Sequence, residues 1–129
     1  MFTIEQIKAA HSKVRSGADF PKYIQELINL GVVSYDAFVA DGHTEYFGEA
    51  DFQLRSAAKY ETIPVAESGG IEKFKHYLKI HQQGETDYLT FCRHCAESGV
   101  EKWRVDTKRM TCTYFDKNGD QMLVEKIPG

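Results

Sequence analysis

The sequence spells out an α+β protein: two tandem α-α-β-β-β units sharing one core, with antiparallel sheet or sheets covered by four helices. Three observations carry that expectation. Apolar stripes at helical spacing come in two pairs, bounded by capping residues and glycine stops. Each pair is followed by runs rich in β-branched and aromatic residues. An ungapped slide of one half over the other then lays caps on caps, stops on stops and strand aromatics on strand aromatics.

Thr3-Ile4-Glu5-Gln6 has the form of a capping box, with Phe2 and Ile7 placed as a hydrophobic staple, so a first helix starts at about residue 4. Its stripe is Ile4, Ile7, His11 and Val14, and Ser16-Gly17 ends it. A second helix spans residues 20–30, with Asp19 available as cap, Pro21 in the first turn and Gly31 as the stop. VVSYDAFVA, Asp41-Gly42 and HTEYFG then read as a β-hairpin, and residues 60–65 are expected to supply a third strand. In the second half Gly69-Gly70 opens a helix striped by Ile71, Phe74, Leu78 and His81, which Gly84 closes. A fourth helix spans residues 87–98 and stops at Gly99. EKWRVDT, MTCTYFD and QMLVEKI follow as three strands, the last two joined by an Asn118-Gly119 turn.

An ungapped slide of residues 18–47 onto the second half lays Asp19 on Asp87, Gly31 on Gly99, Val32 on Val100, Tyr46 on Tyr114 and Phe47 on Phe115. Slightly shorter spacings put Ile4 on Ile71, and Ile63 of the expected third strand on Ile127. The changes of offset fall in turns, where insertions are tolerated. The reading is an internal duplication with halves 1–66 and 67–129 inside one domain, residues 1–129, because neither half could bury its helices and strands alone.

Composition and charge set the functional frame. Hydrophobic residues make up 42 %, aromatic residues 12 % and charged residues 27 % of 129 residues, which excludes a disordered or low-complexity chain. The net charge of −3 disfavours a nucleic-acid backbone binder. The amino-terminal MFTIEQIKAAHSK lacks the apolar core of a signal peptide, and no apolar run reaches membrane-spanning length, so neither secretion by that route nor a membrane partner is expected. Three cysteines, an odd and sparse set, fit a reducing compartment and a cytoplasmic location.

Cys92-Arg93-His94-Cys95 carries the spacing of a zinc or redox pair. A redox pair would sit at a helix amino terminus, and zinc would need a second pair of ligands. In the duplication Cys92 overlays Ile24 and Cys95 overlays Leu27, so both are read as core hydrophobes and no metal or cofactor is expected. His11 and His81 each interrupt an apolar stripe, which makes them the candidate acid or base groups. The polar turn before the fourth helix offers His81 and Asp87, and with Trp103 these form the candidate ligand-binding set in a pocket between the halves. Lys102, Trp103, Arg104, Lys108 and Arg109, near Tyr114, make a basic and aromatic cluster of the kind that holds single-stranded nucleic acid. Strand alternation separates Trp103 and Val105 from Lys102 and Arg104, which is the pattern of an amphipathic strand with its charges in water.

The segments HQQGETDYLTFCRHCAESGVEKWRVD and MTCTYFDKNGD resemble a family of bacterial and prophage-encoded proteins of about this length, some loosely labelled phage envelope protein. The resemblance implies a cytosolic protein of uncharacterised role and carries over no catalytic residues. The residues thus favour a non-enzymatic binding or interaction module, including a homodimer, whose partner is a protein or small molecule. A small-ligand domain with a pocket between the halves is the alternative, and a histidine-dependent enzyme the third.

Overall fold

The first helix opens as its sequence dictates. Gln6 donates its backbone N–H to the Thr3 hydroxyl at 3.2 Å, and the Gln6 side chain accepts from the Thr3 N–H at 2.9 Å. A computed structural model describes residues 2–14, 19–67 and 70–127; Ser16-Gly17, Ser68-Gly69 and Pro128 lie outside the described residues. The elements are α1 (Ile4–His11), α2 (Phe20–Leu30), β1 (Val32–Phe38), β2 (Thr44–Gly48), β3 (Gln53–Arg55), α3 (Ile71–Gln82), α4 (Tyr88–Glu97), β4 (Lys102–Asp106), β5 (Thr111–Phe115) and β6 (Gln121–Lys126). α2 ends on Gly31 in the left-handed region, φ 100°. Asp19 stands at its N-cap position, but the Asp19 side chain makes no capping hydrogen bond. No helix among the described residues is long and apolar enough to cross a membrane.

All six strands join one antiparallel sheet in the order β3-β2-β1-β4-β5-β6. The halves meet at its centre, where β1 pairs β4 with Tyr35 opposite Val105, Asp36 opposite Arg104 and Ala37 opposite Trp103. The two hairpins repeat one register, since the 68-residue spacing carries Tyr35↔Tyr46 onto Trp103↔Tyr114 and Asp36↔Glu45 onto Arg104↔Thr113.

The third strand of the first half is not where the sequence placed it. Residues 60–65 form no strand, and β3 is Gln53–Arg55. Ala50 and Asp51, both left-handed at φ 55° and 64°, reverse the chain directly after β2 and present residues 53–55 to it. Residues 60–65 cross instead from the β1–β2 turn to α4. The Tyr60 hydroxyl donates to the Val39 carbonyl at 2.6 Å, Ile63 N–H to Ala40 at 2.7 Å and Ala66 N–H to Ala96 at 2.9 Å. Pro64 has no N–H to give a ladder. The residue aligned with Leu123 of β6 is therefore Leu54, each facing the tyrosine of the neighbouring strand.

Period-two alternation divides the sheet into two faces. Tyr35, Ala37, Tyr46, Trp103, Val105, Cys112 and Tyr114 are buried with Ile24, Leu27, Phe74, Leu78, Phe91 and Cys95 of helices from both halves. Ile24 and Leu27 are completely buried, each worth about 1.5–3 kcal/mol of transfer free energy. No described element lies over the opposite face, where rows of side chains run across the strands. The middle row reads Arg55, Glu45, Asp36, Arg104, Thr113, Val124 from edge to edge.

Candidate functional site

The amino-terminal end of α4 gathers the residues singled out from sequence. Asp87 caps the helix, accepting from Thr90 N–H at 2.8 Å, and the Thr90 side chain together with that backbone bond holds its carboxyl below the ordinary range. His81, in the last turn of α3, stacks on Phe91 with centroids 4.2 Å apart, and its Nδ1 lies 3.0 Å from the Thr86 hydroxyl. Burial lowers the His81 pKa against the opposing pull of Thr86 and Asp87. Phe91 packs 5.8 Å from Trp103, and Tyr88 6.3 Å from the same indole. His11 arrives from α1, edge-on to Tyr23 at 5.3 Å and Tyr88 at 6.4 Å. Its outer side is exposed, yet desolvation of the inner side, with Lys59 nearby, lowers its pKa. His81, Asp87, Trp103 and His11 thus border one aromatic wall at the junction of the halves.

Behind that wall lie the thiols. Cys92 and Cys95 are 1 % and 0 % exposed, so both sulfurs are in the core. Burial raises the Cys92 and Cys95 pKa values, against the opposing pull of Tyr60, Tyr88 and Lys59 at Cys92. Cys112 is pushed up to about 12 by the same cause. Such thiols are protonated and shielded from reagents at neutral pH. Among the described residues no three His, Cys, Asp or Glu side chains are grouped to hold a metal ion.

Two shallow concavities flank the helical layer. One of about 430 Å³ lies between residues 63–66 and Arg93, Ala96 and Glu97 of α4. The other, about 250 Å³, lies between α1 and α2 beside Lys13, Lys22 and Tyr23. Neither is lined by His81, Asp87 or Trp103.

The uncovered sheet face carries a second constellation, centred on Asp36. That carboxylate is only 3 % exposed and receives Arg104 Nε at 2.7 Å, Arg104 Nη2 at 2.9 Å and Lys102 Nζ at 3.2 Å. The cations outweigh its desolvation and hold its pKa below the usual 3.8. The Lys102 ammonium sits 5.5 Å from both the Phe38 and Phe115 ring centroids, and the Arg104 guanidinium 5.7 Å from Phe115. His43 stacks on Phe38 with centroids 4.3 Å apart, its ring nitrogens turned to Asp41 and Glu45. Phe38, Phe47 and Phe115 remain partly exposed there, and Val124 is 50 % exposed. The basic residues and the aromatics proposed beside them part company as alternation requires. Lys102 and Arg104 lie on this face, whereas Trp103 and Tyr114 belong to the core.

Sequence reading passed over Asp36, Phe38, His43 and Phe115. The alternation in SYDAF does set Asp36 and Phe38 opposite Tyr35 and Ala37. What it could not supply is the register that brings Lys102 and Arg104 beside them.

Fold and surface together define an α+β protein whose helices pack on one side of a six-stranded antiparallel sheet, with no described element over the other side. The chain belongs to the family described as Protein of unknown function (DUF1398), which it matches over residues 8–126. No curated protein matches it.

Proposed function

We propose that this chain is a non-enzymatic binding module of prophage type that works in the cytoplasm and meets a protein partner with the uncovered face of its sheet. The observation that supports this reading is the state of that face. Phe38, Phe47, Phe115 and Val124 are left partly in water around Asp36, Arg104 and Lys102, whose charges are already paired within the chain. A preformed Asp36–Arg104–Lys102 cluster needs little reordering on contact, and the apolar groups gain by being covered. The equal registers of the two hairpins support the accompanying reading that residues 1–66 and 67–129 are copies of one ancestral unit.

A photo-crosslinking side chain at position 113 on the open face, with a control at Leu89 on the helical side, tests the module in cells. We expect protein adducts from position 113 and none from position 89. Adducts from position 89 alone would overturn the reading. The second reading is a small-ligand site at the junction, supported by the half-buried His81 and Tyr88, which edge the buried Phe91 and Trp103. It expects a compound that raises the melting temperature of the wild type and loses its effect in Trp103→Phe.

A further inference from the structure

We infer that the partner of the open face is a second copy of this chain, stacked face to face about a two-fold axis that runs along the strands between β1 and β4. The inference rests on the module reading and adds the identity of the partner. It follows from the charges of the rows. An axis along the strands keeps each row at its own height and reverses it from edge to edge. Asp36 is sealed beneath its own cations, and the Asp36–Arg104 ion pair of each copy lies antiparallel to the same pair of the partner subunit. The two ion pairs become an alternating square of four charges.

The rest of the face fits the same operation. In the middle row Glu45 comes over a neutral Thr113 and Arg55 over a neutral Val124. In the row of Phe38, Lys102 and Phe115, the Phe38 ring meets a lysine ammonium, and His43 meets the Phe115 ring. In the third row Phe47 falls over Thr111, and Ser34 over Asp106. No like charges confront one another. The other in-plane two-fold, across the strands, would set Arg55, Glu45, Asp36 and Arg104 each against its own copy, which costs several kcal/mol. Charge therefore selects one face-to-face geometry, and it keeps the strands within the alignment that stacked sheets adopt.

The size of the face is sufficient. Six strands about 4.8 Å apart and five residues rising about 3.3 Å each give a planar footprint of roughly 450 Å² per copy. With side-chain relief the pair buries about 1,000 Å², the lower end of specific interfaces, so self-association in the micromolar range is expected.

Sedimentation velocity of the purified chain, from low to high micromolar concentration, tests the inference together with paired charge variants. We expect the wild type to pass from monomer to dimer. Thr113→Glu places a carboxylate over the partner's Glu45 and should weaken the dimer about tenfold or more, whereas Thr113→Lys should hold or strengthen it. At Val124, which faces the partner's Arg55, the order reverses: Val124→Lys weakens and Val124→Glu does not. Val124 is half exposed on an edge strand, so its variants keep the test open should a change at Thr113 disturb folding, which thermal melts would report. A wild type that stays monomeric at high micromolar concentration overturns the inference. So does a dimer indifferent to the sign of charge at both positions. Protein adducts from position 113 in a monomeric wild type would remove the second copy as partner and keep the module.

Discussion

Asp36 shows how far a single residue's environment can lie from its sequence neighbourhood. Nothing in SYDAF announces a buried carboxylate, because the two cations that hold it come from β4, 66 and 68 residues later. Replacing it with asparagine removes the charge and leaves Arg104 and Lys102 crowded on one patch. We expect Asp36→Asn to lose about 1–3 kcal/mol in urea unfolding, the range for a broken charged hydrogen-bond set. The sign with pH follows from the lowered pKa. Asp36 contributes stability above its ordinary value of 3.8, and that contribution disappears as pH falls through its lower folded value. The variant should lack that acid-side loss. His81 acts in a different window. Its folded pKa lies below the ordinary 6.5, so the unfolded chain takes up the proton first and stability falls as pH drops below about 6.5. Urea midpoints measured from about pH 7.5 to about pH 5.5 should fall further for the wild type than for His81→Gln. Cys92 and Cys95 were legible because their spacing continued an apolar stripe already set by Tyr88 and Phe91.

Elements with local signals were readable, and the one element without a local signal was misplaced. Helix starts at Thr3 and Asp87 and the stop at Gly31 are written in short-range chemistry, and the structure carries them. β3 was missed because its turn uses Ala50-Asp51 in place of an Asn-Gly or Asp-Gly pair, while residues 60–65 have the composition of a strand and the role of a strap. Two glycines separate the contributions of backbone and packing. A Cβ at Gly31 meets nothing within 4 Å, so Gly31→Ala should cost only the left-handed conformation, about 1–2 kcal/mol. At Gly42, φ 77°, a Cβ would lie 2.6 Å from the Tyr60 ring. Gly42→Ala should therefore cost more, with the difference reduced in a Tyr60→Ala background; urea unfolding of the four proteins measures it. The sheet edges carry their own protection. β3 is three residues long, and β6 has an irregular register near Met122, an inward Glu125 and Lys126. These features disfavour edge-to-edge growth.

At the scale of the molecule, the sequence carried the class and the order of elements, including the repeated α-α-β-β-β, because each element declares itself within a few residues. It did not carry which strands lie at the centre. That depends on the β1–β4 pairing, a long-range choice that fixes where both candidate surfaces fall. The aromatic wall on one side and the charged rows on the other straddle the same central ladder, and so inherit its geometry.

That ladder also constrains how the chain reaches its native state. The hairpins β1–β2 and β4–β5 close over a few residues, whereas Asp36 must find Arg104 across 68. Closing so long a loop loses chain entropy before any bond forms in return, so the two halves should organise first and zip together last. Ala37→Gly, in the middle of the ladder, should accordingly accelerate unfolding and leave refolding almost unchanged in stopped-flow chevrons. The central strands would then set the lifetime of the folded chain, and the outer hairpins the speed at which it appears.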